Sequence, residues 1–250
     1  QSNYKQALQC FNQALEIFQR LGYPKGLAEV LLEIGWVQSD RGDFRESVVT
    51  FEKAQEITAR EGLLRLRSNV LSALGISHHR LGMHQQALDF CQLGLQIFRQ
   101  IGDTRGEGKI LGNMVNLLRD QGEIEDALDL CLQALRISEQ IGDRRSQSID
   151  LGNMANLRHL QGDLEEALAL YRQSLQVARE IGDRRSEATC LGNMSRIVAE
   201  QGSHELALDL NQQTLRICRA IGDKRSEGTC LGNMGDLHYC LGNLSASRLH

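Results

Sequence analysis

Residues 142–182 read GDRRSQSIDLGNMANLRHLQGDLEEALALYRQSLQVAREIG. Gly142 and Gly182 close the stretch at both ends, and Gly162 divides it in half. Between Leu164 and Gly182, apolar or small residues fall at Leu164, Ala167, Leu168, Tyr171, Leu175, Ala178 and Ile181. That is the 3.6-residue spacing of one helix face, with Glu165, Glu166, Arg172 and Gln176 on the other. A glycine after each helix supplies the left-handed residue that ends it. Asp143 and Asp183 follow such a glycine, where a carboxylate caps the next helix. The stretch therefore predicts two helices of about seventeen residues each, A after Gly-Asp and B after the second glycine.

The same clock runs outward through the whole chain. Gly22, Gly62, Gly102, Gly142, Gly182 and Gly222 are forty residues apart. Gly42, Gly82, Gly122, Gly162, Gly202 and Gly242 form a second series offset by twenty, so half of the 24 glycines are punctuation. Asp103 and Asp223 repeat the capping position. A single helix pair cannot bury its apolar face alone, so neighbouring pairs must stack. The expected boundaries are a partial repeat 1–22 (helix B), full repeats 23–62, 63–102, 103–142, 143–182 and 183–222, and a partial repeat 223–250. The chain enters inside a B helix (Tyr4 to Arg20) and stops one turn into another (Leu244 to His250). With no initiator Met, it reads as one array cut from a longer one.

Composition narrows the function classes. The 250 residues are 41% hydrophobic, 24% charged and 4% aromatic, with a formal charge of −4. Such a balance argues against a sequence-independent nucleic-acid binder, and few aromatics argue against a base-stacking platform. No apolar run reaches the roughly 18 residues of a membrane span, and no secretory signal opens the chain. Seven scattered cysteines without CxxC spacing fit a reducing, cytoplasmic compartment, with buried thiols acting as small hydrophobes. The seven histidines show no HExxH spacing, and Leu-Gly-Asn-Met lacks the GxxxxGK[ST] pattern of a phosphate loop. His78 and His79 are expected at the surface or in a groove. No catalytic residue, metal site or cofactor is expected, and the chain is read as non-enzymatic.

Gly35, Ser47, Phe51 and Ala54 fall at the spacing of the small–small–aromatic–small positions of the tetratricopeptide repeat (TPR). Ala155, Ala167, Tyr171 and Ser174 repeat it, as do Val115, Ala127, Cys131 and Ala134 with substitutions. The chain resembles that family along its whole length. The resemblance implies an all-α, right-handed TPR solenoid of antiparallel helix pairs with a 40-residue period. The long period, with Gly182-Asp183-Arg184, Glu187 and Asn193, is similar to the Pins/LGN-type and bacterial sensor arrays. Leu191-Gly192-Asn193 lies three positions earlier than in the Pins/LGN type, and Thr189 and Thr229 replace an inward basic residue. Their ligand is therefore not carried over.

In TPR proteins helix A lines the inner face. Applied here, that geometry turns Arg145, Ile149, Gly152, Asn156 and His159 inward. The Arg145 position is basic in every repeat: Lys25, Arg65, Arg105, Arg145, Arg185 and Arg225. Gly112, Gly152, Gly192 and Gly232 stand in register in the last four, although each mid-helix glycine costs about 1 kcal/mol relative to Ala. Asn116, Asn156, Arg196 and Asp236 stand beside them. One reading is a peptide groove with an open floor, amides for peptide groups and arginines for carboxylates. The other is internal: arginines paired with Asp143-type caps or Glu187-type neighbours, and glycines admitting another helix. Asn113, Asn153, Asn193 and Asn233 are expected to bond between repeats. The expected partner is a protein or peptide with acidic residues, neither nucleic acid nor membrane. A sensor array acting on other domains of a larger switch protein, and self-association through repeat ends, are the alternatives.

Overall fold

The computed structural model describes the backbone of residues 2–247 and the side chains of residues 4–242. Those residues form twelve helices: α1 (Ser2–Leu21), α2 (Pro24–Arg41), α3 (Phe44–Arg60), α4 (Leu64–Arg80), α5 (His84–Gln100), α6 (Thr104–Gln121), α7 (Ile124–Gln140), α8 (Arg144–Leu160), α9 (Leu164–Glu180), α10 (Arg184–Glu200), α11 (His204–Ile221) and α12 (Lys224–Ser247). Even-numbered helices are the A helices and odd-numbered ones the B helices, an all-α repeat solenoid. Contacts divide the chain into two compact units, Gln1–Leu130 and Cys131–His250.

Each reversal of direction rests on a glycine. The first series, Gly22 through Gly222, has φ between +58° and +73°, and the second, Gly42 through Gly202, between +78° and +88°. No residue other than glycine has a positive φ among those described. At these turns the chain bonds back across the helix end, as Asp103 N–H does to the Phe98 carbonyl and Asp183 N–H to that of Ala178, both at 2.9 Å. This is the Schellman pattern, which satisfies carbonyls the helix itself leaves open. Gly242 departs from the series. The helix α12 runs through it to Ser247, because a glycine permits a left-handed turn but costs only about 1 kcal/mol within a helix. The separate B helix expected from Leu244 is therefore not formed over 244–247, which continue α12, and residues 248–250 lie outside the described residues.

The Asp after the first glycine series caps as expected. One carboxylate oxygen accepts from Gly106 N–H at 3.0 Å for Asp103, and at 3.1 Å from Ser146, Ser186 and Ser226 for Asp143, Asp183 and Asp223. Asp163 caps α9 in the same way. The Glu of the Gly-Asp-Arg-x-x-Glu pattern is also structural. Glu107, Glu187 and Glu227 each accept from an arginine ending the preceding B helix (Arg99, Arg179, Arg219) at 2.7–2.9 Å.

Within a pair, close approach depends on small residues. In the first unit a Cβ added at Gly35 would sit 2.3 Å from the Phe51 ring, and one at Gly75 would sit 2.5 Å from Cys91 Sγ. Phe51 is fully buried with Leu74 and Val70, and Trp36 meets it edge-on at 5.5 Å between centroids. In the second unit Ala155, Ala167, Tyr171 and Ser174 are buried alike. His78, expected at the surface or in a groove, is buried instead: its Nδ1 lies 2.9 Å from the Leu74 carbonyl and its ring packs on Phe90.

One carboxyl is buried in the second unit without a cation. Asp150 is 5% exposed on α8, and burial pushes its pKa up from the usual 3.8 to about 6, with Asp143 adding to the rise and Ser138 opposing it. Ser138 Oγ lies 3.0 Å from the carboxyl and 2.9 Å from the Leu135 carbonyl. A single hydroxyl proton serves only one acceptor. The Leu135 carbonyl competes for it, so Ser138 only partly offsets the cost of burying the Asp150 charge. The folded state thus holds its proton to higher pH than the unfolded state, and stability falls as pH rises from about 4 to about 6. Asp150→Asn keeps a donor without the charge. It is expected to stabilise the protein by roughly 2–3 kcal/mol at pH 7.5 and by little at pH 4, read from thermal melts.

Candidate functional site

Two hollows lie within the unit Cys131–His250, one repeat apart. The first, about 250 Å³, is walled by Arg145, Ile149, Gly152, Asn153 and Asn156 of α8 and by Arg185, Thr189 and Asn193 of α10. Tyr171 and Ser174 of α9 form its floor. The second, about 380 Å³, repeats the arrangement with Arg185, Thr189, Gly192, Asn193 and Arg196 of α10, Thr229 and Asn233 of α12, and Asn211, Thr214 and Cys218 of α11. A helices supply the walls because their inward positions recur every three or four residues.

The in-register glycines differ from those that pack. A Cβ added at Gly152 would meet nothing nearer than Ser174 Oγ at 3.7 Å, and at Gly192 nothing nearer than Thr214 Cγ2 at 3.8 Å. At Gly112 and Gly232 it would meet nothing within 4 Å. No neighbouring helix fills the space these glycines leave.

The basic row makes a regular internal contact. Arg65 Nε lies 3.1 Å from Asp103 Oδ2, and Arg145 Nε lies 3.3 Å from Asp183 Oδ2, each arginine reaching the cap of the next A helix. Each Asp therefore caps with one oxygen and holds an arginine with the other. Burial raises the Asp183 pKa, but hydrogen bonds from Ser186 and the Arg145 charge outweigh it and hold the carboxyl below its usual range. Ser226 hydrogen bonds chiefly do so for Asp223, helped by the Arg185 charge. Where Leu63 replaces the cap, Lys25 turns to Glu29 on its own helix, at 3.8 Å. Arg65 and Arg145 remain 72% exposed, so their unused guanidinium donors still face water. Arg105 and Arg225 are exposed at the same register.

The amide positions split. Asn113 Nδ2 donates to Ser72 Oγ of the preceding repeat at 2.9 Å, and Asn116 Nδ2 to the Gly112 carbonyl at 3.1 Å. Tyr171 donates its hydroxyl proton to Asn156 Oδ1, fixing that amide in the first hollow. Asn211 stands at the Tyr171 position one repeat later, 2% exposed, with its Nδ2 bonded to Ser195 Oγ and the Ala207 carbonyl. Its Oδ1 has no partner. His159, expected inward, lines neither of these hollows. Its Nε2 donates to Glu200 at 2.6 Å and its Nδ1 accepts from Arg196 at 3.2 Å, which holds the ring at the helix end. His79 makes the corresponding contact with Asp120 at 3.0 Å in the first unit. Both partners lie about forty residues away, a separation that local pattern does not reveal.

The sequence matches the tetratricopeptide repeat model over residues 1–60, 66–140, 106–180 and 145–220. The chain belongs to the tetratricopeptide repeat family. No curated protein matches the sequence. Among solved structures it is similar to BtubC (BKLC) from P. vanneervenii, with a TM-score of 0.75 and 17% identity over 88% of this chain and 92% of that one. A signal transduction ATPase with numerous domains from Pyrococcus horikoshii, which has a tetratricopeptide repeat sensor, aligns with a TM-score of 0.73 and 16% identity. That match covers 90% of this chain and 35% of that one. A Rap protein complexed with Competence and Sporulation Factor aligns with a TM-score of 0.69 and 12% identity, over 95% and 74% of the two chains. At these identities the likeness is one of fold. Among the described residues no helix is long and apolar enough to cross a membrane.

The contrast between glycines is directly measurable. Gly152→Ala adds a methyl at ordinary contact distance from Ser174 Oγ, without a clash, and is expected to stabilise the fold by about 1 kcal/mol. Gly35→Ala drives a methyl into the Phe51 ring, where overpacking costs about 1–3 kcal/mol. Urea unfolding of the two variants should move in opposite directions.

Proposed function

We propose that this repeat array is a non-catalytic scaffold that holds an extended, acidic segment of a partner protein along its A helices. In this reading residues 23–222 supply five full repeats and 1–22 and 223–250 partial ones. Arg105, Arg145, Arg185 and Arg225 face carboxylates of the partner. Gly112, Gly152 and Gly192 leave room for its backbone, and Asn116, Asn156 and Arg196 stand beside that room, with His159 setting the direction of Arg196. The observation that carries the reading is that Gly152 and Gly192, inside two hollows in register, are not closely packed: an added Cβ would meet nothing nearer than 3.7 and 3.8 Å. A mid-helix glycine that no helix packs against weakens its helix without a packing gain, which fits selection for access.

Adjacent A helices about 10 Å apart and a strand rising about 3.3 Å per residue match one repeat to every third partner residue. Arg guanidinium grips carboxylate through parallel hydrogen bonds, and donors not used by the Asp caps remain for it. The reading assigns the protein to the cytoplasm, with no cofactor, nucleic acid or membrane as its partner. A second reading is a sensor array that acts on other domains of a larger switch protein. It draws on the likeness to the Pyrococcus horikoshii sensor protein, of which the matched part is about a third.

Selection of a random extended-peptide library against the 250-residue chain tests the proposal. Asp- and Glu-rich peptides should be enriched, and their affinity should fall as salt rises. Gly152→Leu/Gly192→Leu should abolish binding with helical circular dichroism intact. Arg105→Ala/Arg145→Ala/Arg185→Ala should weaken it strongly, while each single change costs only about 0.2–1 kcal/mol. Peptides that bind both variants as tightly as wild type would exclude this face as the binding site.

A further inference from the structure

The second hollow contains a pair of cysteines that the peptide reading does not use. Cys218 ends the floor helix α11, and Cys230 lies twelve residues later on α12. Two repeats earlier the same two positions are Ser138 and Asp150, whose side chains meet at 3.0 Å. One repeat earlier they are Ala178 and Cys190, and the Cys190 thiol lies against Ser174 instead. At the last repeat both positions carry sulfur. Both thiols line that one hollow, each buried, and each acts on the other's ionisation. The repeat register that brings Ser138 to Asp150 therefore brings two thiols together.

We propose that Cys218 and Cys230 are a dithiol modification site, which a low-molecular-weight disulfide closes into a disulfide bond joining α11 to α12. Cys230 is 5% exposed and Cys218 fully buried, and both line the 380 Å³ hollow, so reagent arrives at Cys230 first. The Cys230 thiolate attacks one sulfur of the reagent, forming a mixed disulfide and expelling one small thiolate. The Cys218 thiolate then attacks the Cys230 sulfur and expels the second. Two protein thiols lose two protons and two electrons, and the reagent becomes two free thiols. The second step is intramolecular between two thiols lining one hollow, so it outruns attack by a second reagent molecule.

Burial, followed by the neighbouring Cys218, pushes the Cys230 pKa up to about 11. Since the thiolate is the nucleophile, closure is slow at neutral pH and accelerates about tenfold per pH unit below that value. The bond draws the sulfurs to about 2.05 Å and ties α12 to the floor of the hollow. The proposal stands on the contact between these two helices and holds whatever the hollow binds.

Graded glutathione disulfide applied to the reduced 250-residue chain, with alkylation of remaining thiols and peptide mapping, tests it. The expected product has lost about 2 Da, carries a Cys218–Cys230 cross-link and melts at higher temperature than the reduced form. Its formation should accelerate about tenfold per pH unit between pH 7 and 9. Cys218→Ser should instead accumulate a stable glutathione adduct on Cys230, with helical content unchanged. Alkylation of both residues after exposure at pH 9, a lasting adduct on Cys230 of the wild type, or cross-links from either residue to Cys10 or Cys240 would each overturn the proposal.

Discussion

The left-handed turn is the constraint on which the rest depends. An L side chain resists positive φ, and every described turn that requires it is occupied by glycine, at an interval of twenty residues. That interval fixes helices of seventeen or eighteen residues for nearly the whole array. Equal helices in turn bring equivalent positions to equivalent places. Asp183 then meets Arg145 as Asp103 meets Arg65, and both hollows are lined by the same kinds of side chain.

The capping aspartates link local structure to the next repeat. One oxygen caps the start of an A helix and the other holds an arginine from the A helix of the repeat before, so a single residue serves both secondary structure and stacking. The contact is solvent-exposed on the arginine side and contributes at most about 1 kcal/mol. Its regularity matters more than its strength, because the same pair recurs as Arg65–Asp103 in one unit and Arg145–Asp183 in the other. The two roles weighed for the basic row thus meet in one geometry: the arginines pair internally, and they still offer donors to water.

Glycine serves three purposes here, and only one is conformational. Gly42 and its counterparts permit positive φ. Gly35 and Gly75 admit a ring or a thiol, and Gly152 and Gly192 leave space that nothing fills. The sequence pattern found the last two as a register. It could not tell a packing glycine from an open one, because that depends on what stands opposite in another helix.

The sequence by itself determined the helices, their reversals except the one expected at Gly242, and the family. Each of these follows from interactions within four or five residues, or from a strict period, and both are visible in a linear string. Cap aspartates and the Gly35–Phe51 and Ala155–Tyr171 positions belong to that class. The tertiary structure alone decided which polar atoms are satisfied. It bound Asn156 to Tyr171, turned His159 to Glu200 and Arg196, buried His78, and set Cys218 and Cys230 in one hollow. These partners lie twelve to forty-one residues apart, and a side chain's direction there is chosen by packing between helices rather than by neighbours in the chain.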